Sequence, residues 1–171
     1  MELKKEGNLI LVIGKTEGHL EQTIFAREIL SEKKGPPPEI NLFNEKNNGL
    51  TISKLIKDNL IESCHDVSLG GILIATSKMC IKSKKGIKIN NLKNLINKFE
   101  YFFSEDQGRY LVEINKDNFK KVEKILIDNS VHFDELGVVN DNKFLFSDEI
   151  DLSIEDLIKA YKNWLKKYMV N

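Results

Sequence analysis

The chain has little proline, little cysteine, few arginines and no net charge. Its three prolines among 171 residues all stand in Gly35-Pro36-Pro37-Pro38. That segment cannot be helix interior, and it reads as a rigid extended connector or as a fixed arm that packs on a neighbour. The two cysteines, Cys64 and Cys80, lie in apolar surroundings without CxxC spacing. This excludes a disulfide framework and a cysteine zinc site, and points to buried thiols in a reducing cytoplasm. Lys+Arg and Asp+Glu each total 26, which removes the electrostatic case for nucleic acid or an anionic membrane as a partner. No apolar run reaches the roughly 18 residues a membrane span needs, and Met1 to Glu6 lacks the apolar region of a signal peptide. The three histidines are too scattered for local metal-ligand spacing. There is no GxGxxG after the first apolar run and no GxxxxGKS or GxxxxGKT, so the standard dinucleotide and P-loop readings fail. GxSxG and HExxH are missing too. Only Arg27 and Arg109 are arginine, which makes each more noteworthy than usual.

What is present is organised around Cys64-His65-Asp66-Val67-Ser68-Leu69-Gly70-Gly71. Upstream, Leu55, Ile56, Leu60 and Ile61 share one face of an amphipathic segment. Downstream, Ile72 to Ile81 is apolar nearly all round, as in a buried helix. The expected shape is helix, short strand, tight glycine turn, buried helix. Gly70 and Gly71 let the backbone approach another group closely. The free N–H groups at the helix start favour an anion, with Asp66 and Ser68 beside them. The alternative is a tight connection that binds nothing.

The remaining chain alternates helix and strand patterns. Asn8 to Gly14 reads as a buried first strand. Gly14 to Gly18 is a turn, and Leu20, Ile24, Phe25 and Ile29 mark a short helix with His19 at its start. Residues 40–61 carry helical periodicity that Asn47-Asn48-Gly49 is expected to break. Ile87 to Ile89 is a short strand. Asn90 or Asn91 caps a helix with Leu92, Leu95, Ile96 and Phe99 as its buried stripe. Asp117 caps a helix bearing Phe119, Val122, Ile125 and Leu126. Val131 to Val139 is a strand kinked at Gly137, with His132 solvated. Asn140-Asp141-Asn142 is a hairpin-like turn into a strand over 143–146. Ser153 to Asp156 is a capping-box helix start, and Trp164 is expected to pack that last helix onto the body. The sum is one α/β (α+β) layered unit, residues 1–171, with a mixed sheet flanked by helices.

A second informative stretch is Ser104-Glu105-Asp106-Gln107-Gly108-Arg109-Tyr110, a polar cluster at the mouth of the strand Tyr110 to Ile114. Glu105 and Asp106 accept hydroxyl or amide protons, and Gln107 donates and accepts. Arg109 either holds a phosphate or carboxylate, or pairs with Glu105 or Asp106 and steadies the loop.

Four segments together resemble the phosphoribosylformylglycinamidine synthases. They are SCHDVSLGG over 63–71, SEDQGRYLV over 104–112, GPPPE over 35–39, and the GHLEQ to REIL stretch within 14–30. The resemblance runs from about Asn8 to Met169. It implies a C-terminal domain like that of aminoimidazole ribonucleotide synthetases, from the second half of a tandemly duplicated enzyme. The family converts formylglycinamide ribonucleotide, ATP and glutamine-derived ammonia to formylglycinamidine ribonucleotide in purine biosynthesis. It implies ligand-facing positions at Glu105, Asp106, Gln107 and Arg109 and at Asp66, Ser68, Gly70 and Gly71. It implies no catalytic residue, metal ligand or cofactor in this domain, since ATP and magnesium belong to the full enzyme. Leu69 stands where the family usually has a polar residue. Implied partners are the nucleotide-binding domains of the same synthase, a glutaminase subunit and a small accessory subunit. Self-association of the isolated domain is a further expectation. The alternatives are a non-catalytic scaffold domain, or the equivalent domain of an aminoimidazole ribonucleotide synthetase, selenide water dikinase or thiamine-phosphate kinase.

Overall fold

Five successive apolar residues, Leu9–Ile13, form strand β1 of the computed structural model, which describes residues 1–90 and 96–170. The run is unbroken because both faces are buried. Ile10 and Val12 enter one core, while Leu11 and Ile13 enter a second on the opposite side of the sheet. The period-2 geometry of a strand enforces that split.

The other strands are β2 Ser63–Asp66, β3 Gly86–Ile89, β4 Tyr110–Ile114, β5 Phe133–Asn140, β6 Lys143–Phe146 and β7 Ile150–Ser153. The helices are α1 Ile24–Glu28, α2 Leu42–Lys57, α3 Gly71–Ser83, α4 Lys98–Phe103, α5 Phe119–Asp128 and α6 Ile154–Val170. The seven strands order as β2-β4-β1-β5-β3-β6-β7. Among the described residues only β3 and β6 pair in parallel, so the sheet is mixed, as expected. Residues of α3, α4 and the start of α6 pack on one face, and those of α2 and α5 on the other.

Several expectations are corrected. The turn at 140–142 joins no hairpin: β5 pairs with β3, and β3 pairs with β6. Gly86 makes this insertion feasible, because a Cβ there would collide with the Lys143 carbonyl oxygen. Strand β7, antiparallel to β6, is only the four residues Ile150-Asp151-Leu152-Ser153; its apolar alternation is too short to stand out, and Leu152 is exposed. Helix α2 runs unbroken through Asn47-Asn48-Gly49. Tertiary bonds replace the local ones these amides usually seek: Asn47 Nδ2 donates to the Asn129 carbonyl at 2.6 Å, and Asn48 Nδ2 to the Gly108 carbonyl at 3.0 Å. Asn115, not Asp117, caps the short 3-10 turn before α5. His19 lies in a loop, and Thr23 caps α1. Helix α3 is buried on one face only, with Ile74 39% exposed. Ile96 and Phe99 are exposed, and Asn97 caps α4. The expectations for Asn91, Leu92 and Leu95 lie outside the described residues. Trp164 is 59% exposed and does not pack α6 down; Ile154, with partly buried Leu157 and Ile158, does so.

Other local readings held. Ser153 Oγ accepts from the Asp156 N–H at 3.1 Å, as a cap should. The kink at Gly137 coincides with a register shift between β1 and β5 that leaves Leu136 as the extra residue.

Burial pushes the Cys64 thiol up to about 11 and that of Cys80 up to about 12, from 9.0. The thiol form is favoured in the fold. This stabilisation is complete below pH 9.0 and lost as pH rises through 11 to 12. At pH 8 a disulfide reagent should therefore label native protein at least about tenfold more slowly than urea-unfolded protein. Equal rates would contradict the buried placement.

Candidate functional site

The loop from Ser104 to Arg109 joins α4 to β4 and is stitched from inside. Arg109 is 1% exposed. Its Nη2 donates to the Ser104 carbonyl at 2.7 Å, its Nε to the Asp106 carbonyl at 3.2 Å, and its Nη1 to Thr16 Oγ1 at 3.1 Å. The Asp106 carboxylate lies 3.8 Å from Nη1. Burial pulls the Arg109 pKa below its ordinary value, and Asp106 chiefly opposes the shift. The charge persists because guanidinium starts so high.

The two acids face backbone N–H groups. Asp106 accepts from Glu17 and Gly18 at 3.0 and 3.1 Å and from His19 at 3.2 Å. Glu105 Oε1 accepts from Gly70 and from Ile24, both at 2.8 Å. The anion drawn to the glycine turn is thus, in this structure, a carboxylate of the chain itself. Through Glu105 the 66–71 turn and the 105–109 loop become neighbours, and the Val67 N–H bonds to the Arg109 carbonyl at 2.9 Å.

Gly70 and Gly71 have φ of +85° and +69°. A Cβ on Gly71 would lie 2.6 Å from the carbonyl oxygens of Phe102 and Ser104. The close approach is therefore between the start of α3 and the end of α4. Gly71→Ala combines left-handed backbone with a backbone clash and should cost more than about 2 kcal/mol. Urea unfolding checks this, and a loss below about 0.5 kcal/mol would contradict the tight contact.

The remaining predicted residues are solvent-facing. Asp66 ends β2 opposite Tyr110, exposed, with its Oδ1 3.2 Å from His65 Nδ1. Ser68 is exposed and its carbonyl closes the turn to the Gly71 N–H. Gln107 is exposed and lines a cleft of about 930 Å3. Asp106 also borders this cleft, whereas Asp66 and Ser68 do not.

The cleft draws on four separated segments: 15–21, 38–48, 106–107 and 130–132. Its lining carries Lys15, His19 and His132 against the acids Glu17, Glu21, Glu39, Glu45 and Asp106, so acidic groups predominate. Asn41, Asn44 and Gln107 supply amides, which suit a ligand with hydroxyl and carbonyl groups. Sequence reasoning missed the contributors from 38–48 and 130–132, and no local spacing marks them. Among the described residues, no three His, Cys, Asp or Glu side chains converge as metal ligands would. No helix among the described residues is long and apolar enough to cross a membrane.

The chain is thus a mixed sheet covered on both faces, with this acid-and-arginine loop at one strand's mouth. Residues 5–147 match the family described as AIR synthase related protein, C-terminal domain, and the chain belongs to that family. It is 62% identical over all 171 residues to the phosphoribosylformylglycinamidine synthase subunit PurL of Pelagibacter ubique, covering 23% of that protein. It is 36% identical over 167 residues to PurL of Bartonella bacilliformis, covering 98% of this chain and 22% of that one. The chain thus spans about a quarter of the length of these curated relatives. The fold is shared with Thermotoga maritima PurL complexed with FGAR, at TM-score 0.72 and 19% identity over 92% of this chain and 29% of that one. It is also shared with thiamine-monophosphate kinase of Stenotrophomonas maltophilia, at TM-score 0.56 and 12% identity over 84% of this chain and 51% of that one.

Proposed function

We propose that the chain is one domain of a phosphoribosylformylglycinamidine synthase, an ATP-dependent C–N ligase of purine biosynthesis acting in the cytoplasm. The single observation that supports this most is the 62% identity to a PurL subunit along the whole chain. In this reading the whole polypeptide uses formylglycinamide ribonucleotide, ATP and glutamine-derived ammonia. In the same reading ATP and magnesium are held by the other domains of that polypeptide. The nucleotide-binding domains of the same polypeptide, a glutaminase subunit and a small accessory subunit are its partners.

Within the domain, the proposed roles divide. Gln107 presents its amide to a polar ligand in the cleft. Arg109, Asp106 and Glu105 act as positioning residues: they fix the loop that carries Gln107 and join it to the turn of Asp66, Ser68, Gly70 and Gly71. A preset loop spares the ordering cost of binding. The scaffold reading has its own support, since three polar groups of the loop bond to the chain itself.

Calorimetry of the isolated chain with formylglycinamide ribonucleotide and with ADP separates the readings. We expect weak or no binding and no ammonia-dependent ATP turnover by the chain alone. In the whole synthase, Gln107→Ala should weaken ribonucleotide binding about tenfold, the scale of one lost polar contact. Robust product formation by the 171 residues alone would overturn the reading.

A further inference from the structure

We infer that the outer half of α6 is the docking surface for a second copy of this chain, with the two α6 helices antiparallel about a two-fold axis. Ile154, Leu157, Tyr161, Trp164 and Tyr168 follow one another at spacings of three and four, so they form a single stripe along the helix. That stripe is used in two ways. Ile154, with partly buried Leu157 and Ile158, packs into the core. From Lys159 onward every described residue is exposed, and Tyr161, Trp164 and Tyr168 are 58%, 59% and 76% exposed. The helix thus begins on the body and runs off it, beside β7, where the sheet ends.

Such an extension gains little by standing alone. The stretch from Lys159 to Val170 is no longer than the roughly 12–15 residues at which an isolated helix is still marginal in water. Its large groups are gathered rather than scattered: the rings of Trp164 and Tyr168 lie 6.5 Å apart. Leu152 adds to them. It sits opposite Phe144 across β6 and β7, so it points to the sheet face on which Phe144 and the start of α6 pack, and it is 43% exposed. Clustered tryptophan and tyrosine are the groups that anchor protein interfaces. The three rings of α6 offer roughly 300–450 Å2 per copy, about half of what a standard interface takes from each partner. Leu152 and the flanks of the helix supply more.

Charge chooses the occupant. Residues 148–156 hold Asp148, Glu149, Asp151, Glu155 and Asp156 and no base, whereas the helix after Asp156 carries Lys159, Lys162, Lys166 and Lys167 and no acid. The base of α6 is therefore negative and its far end positive. A parallel pair would set like charge on like. An antiparallel pair lays each positive end along the negative base of the other copy and opposes the two helix dipoles. Glu149, Asp151 and Asp156 pair with lysines of their own chain. Among the described residues Asp148 and Glu155 have no such partner and can receive the lysines of a second copy. One surface thus carries both halves of the match, as a two-fold interface requires.

Sedimentation equilibrium of the chain over a concentration series is the test. Wild type should form a dimer, and the triple variant Tyr161→Ser, Trp164→Ser, Tyr168→Ser should dimerise about 100-fold more weakly, as loss of aromatic anchors predicts. A wild type that stays monomeric up to about 100 μM, where even weak specific pairs form, overturns the proposal. Equal dimerisation by the variant does so too. Two further readouts serve if that variant fails to fold. Trp164 is the only tryptophan of the chain, so its fluorescence reports on the contact. Emission should move to shorter wavelength as the wild type is concentrated, and constant emission across dimer formation overturns the proposal. The other readout is orientation. Asp148→Lys with Glu155→Lys, and Lys162→Glu with Lys166→Glu, should each weaken the dimer about tenfold, and all four changes together should return it to within about threefold of wild type. No weakening by either pair, or no recovery in the quadruple variant, overturns the antiparallel pairing. If the wild type is monomeric but binds vesicles of phosphatidylcholine and phosphatidylserine, the basic amphipathic helix faces a lipid surface instead, and the proposal fails.

Discussion

Arg109→Met should lower the unfolding free energy by about 3–5 kcal/mol, the range for removing one partner of a buried charge pair. Methionine fills much of the volume but leaves the Ser104 and Asp106 carbonyls without the donors they now have. It also leaves Asp106, 6% exposed, without its only nearby guanidinium among the described residues. Each unsatisfied buried acceptor costs about 1–3 kcal/mol. Arg109→Lys should recover only part of the loss, because one ammonium cannot span three acceptors held in a fork. The loop should loosen as well, so hydrogen exchange at the Glu17, Gly18 and His19 amides should quicken. Urea unfolding and exchange both report on this. A loss below about 1 kcal/mol would show that the loop does not depend on the guanidinium.

Glu113→Ala should be comparably damaging, by about 3–5 kcal/mol. The side chain is 0% exposed on β4, between edge strand β2 and β1. Its Oε1 accepts from the Lys4 and Lys5 N–H groups at 3.0 Å and from Asn8 Nδ2 at 2.7 Å. Its Oε2 accepts from the Lys4 N–H at 2.8 Å and from Ser63 Oγ at 3.2 Å. The carboxylate therefore anchors the segment before β1 and the first residue of edge strand β2 to β4. Alanine strands these donors in a dry site. Glu113→Gln should restore only part, since its amide nitrogen faces donors; Ser63 alone can turn to accept. The decisive readout is a combination of lowered urea midpoint and proteolytic release of the first residues. Resistance to both would contradict the anchoring role.

Much of the frame was legible because it depends on neighbouring residues. The unbroken apolar run Leu9–Ile13, the strand Tyr110–Ile114 and the capping box at Ser153 each express a local pattern or a local bond. The glycine pair also signalled a close backbone approach, and the structure supplies its object in the Phe102 and Ser104 carbonyls. The candidate site was legible only as two stretches. Their meeting through Glu105 and Gly70 spans 35 residues, and the cleft gathers segments from Lys15 to His132. Trp164 shows the other limit: its spacing on α6 marks an apolar stripe, yet a stripe does not tell whether anything covers it.

By itself, then, the sequence determined most of the elements, the burial of the first strand, the glycine turn and the family to which these patterns belong. Tertiary structure alone decided that β3 slips between β5 and β6, that Arg109 and its acids bind the chain's own backbone, and that the outer half of α6 stands bare in solvent. The reason is range. Periodicity and capping act across a few residues, whereas strand order, buried ion pairs and exposed faces arise from contacts between residues far apart in the chain.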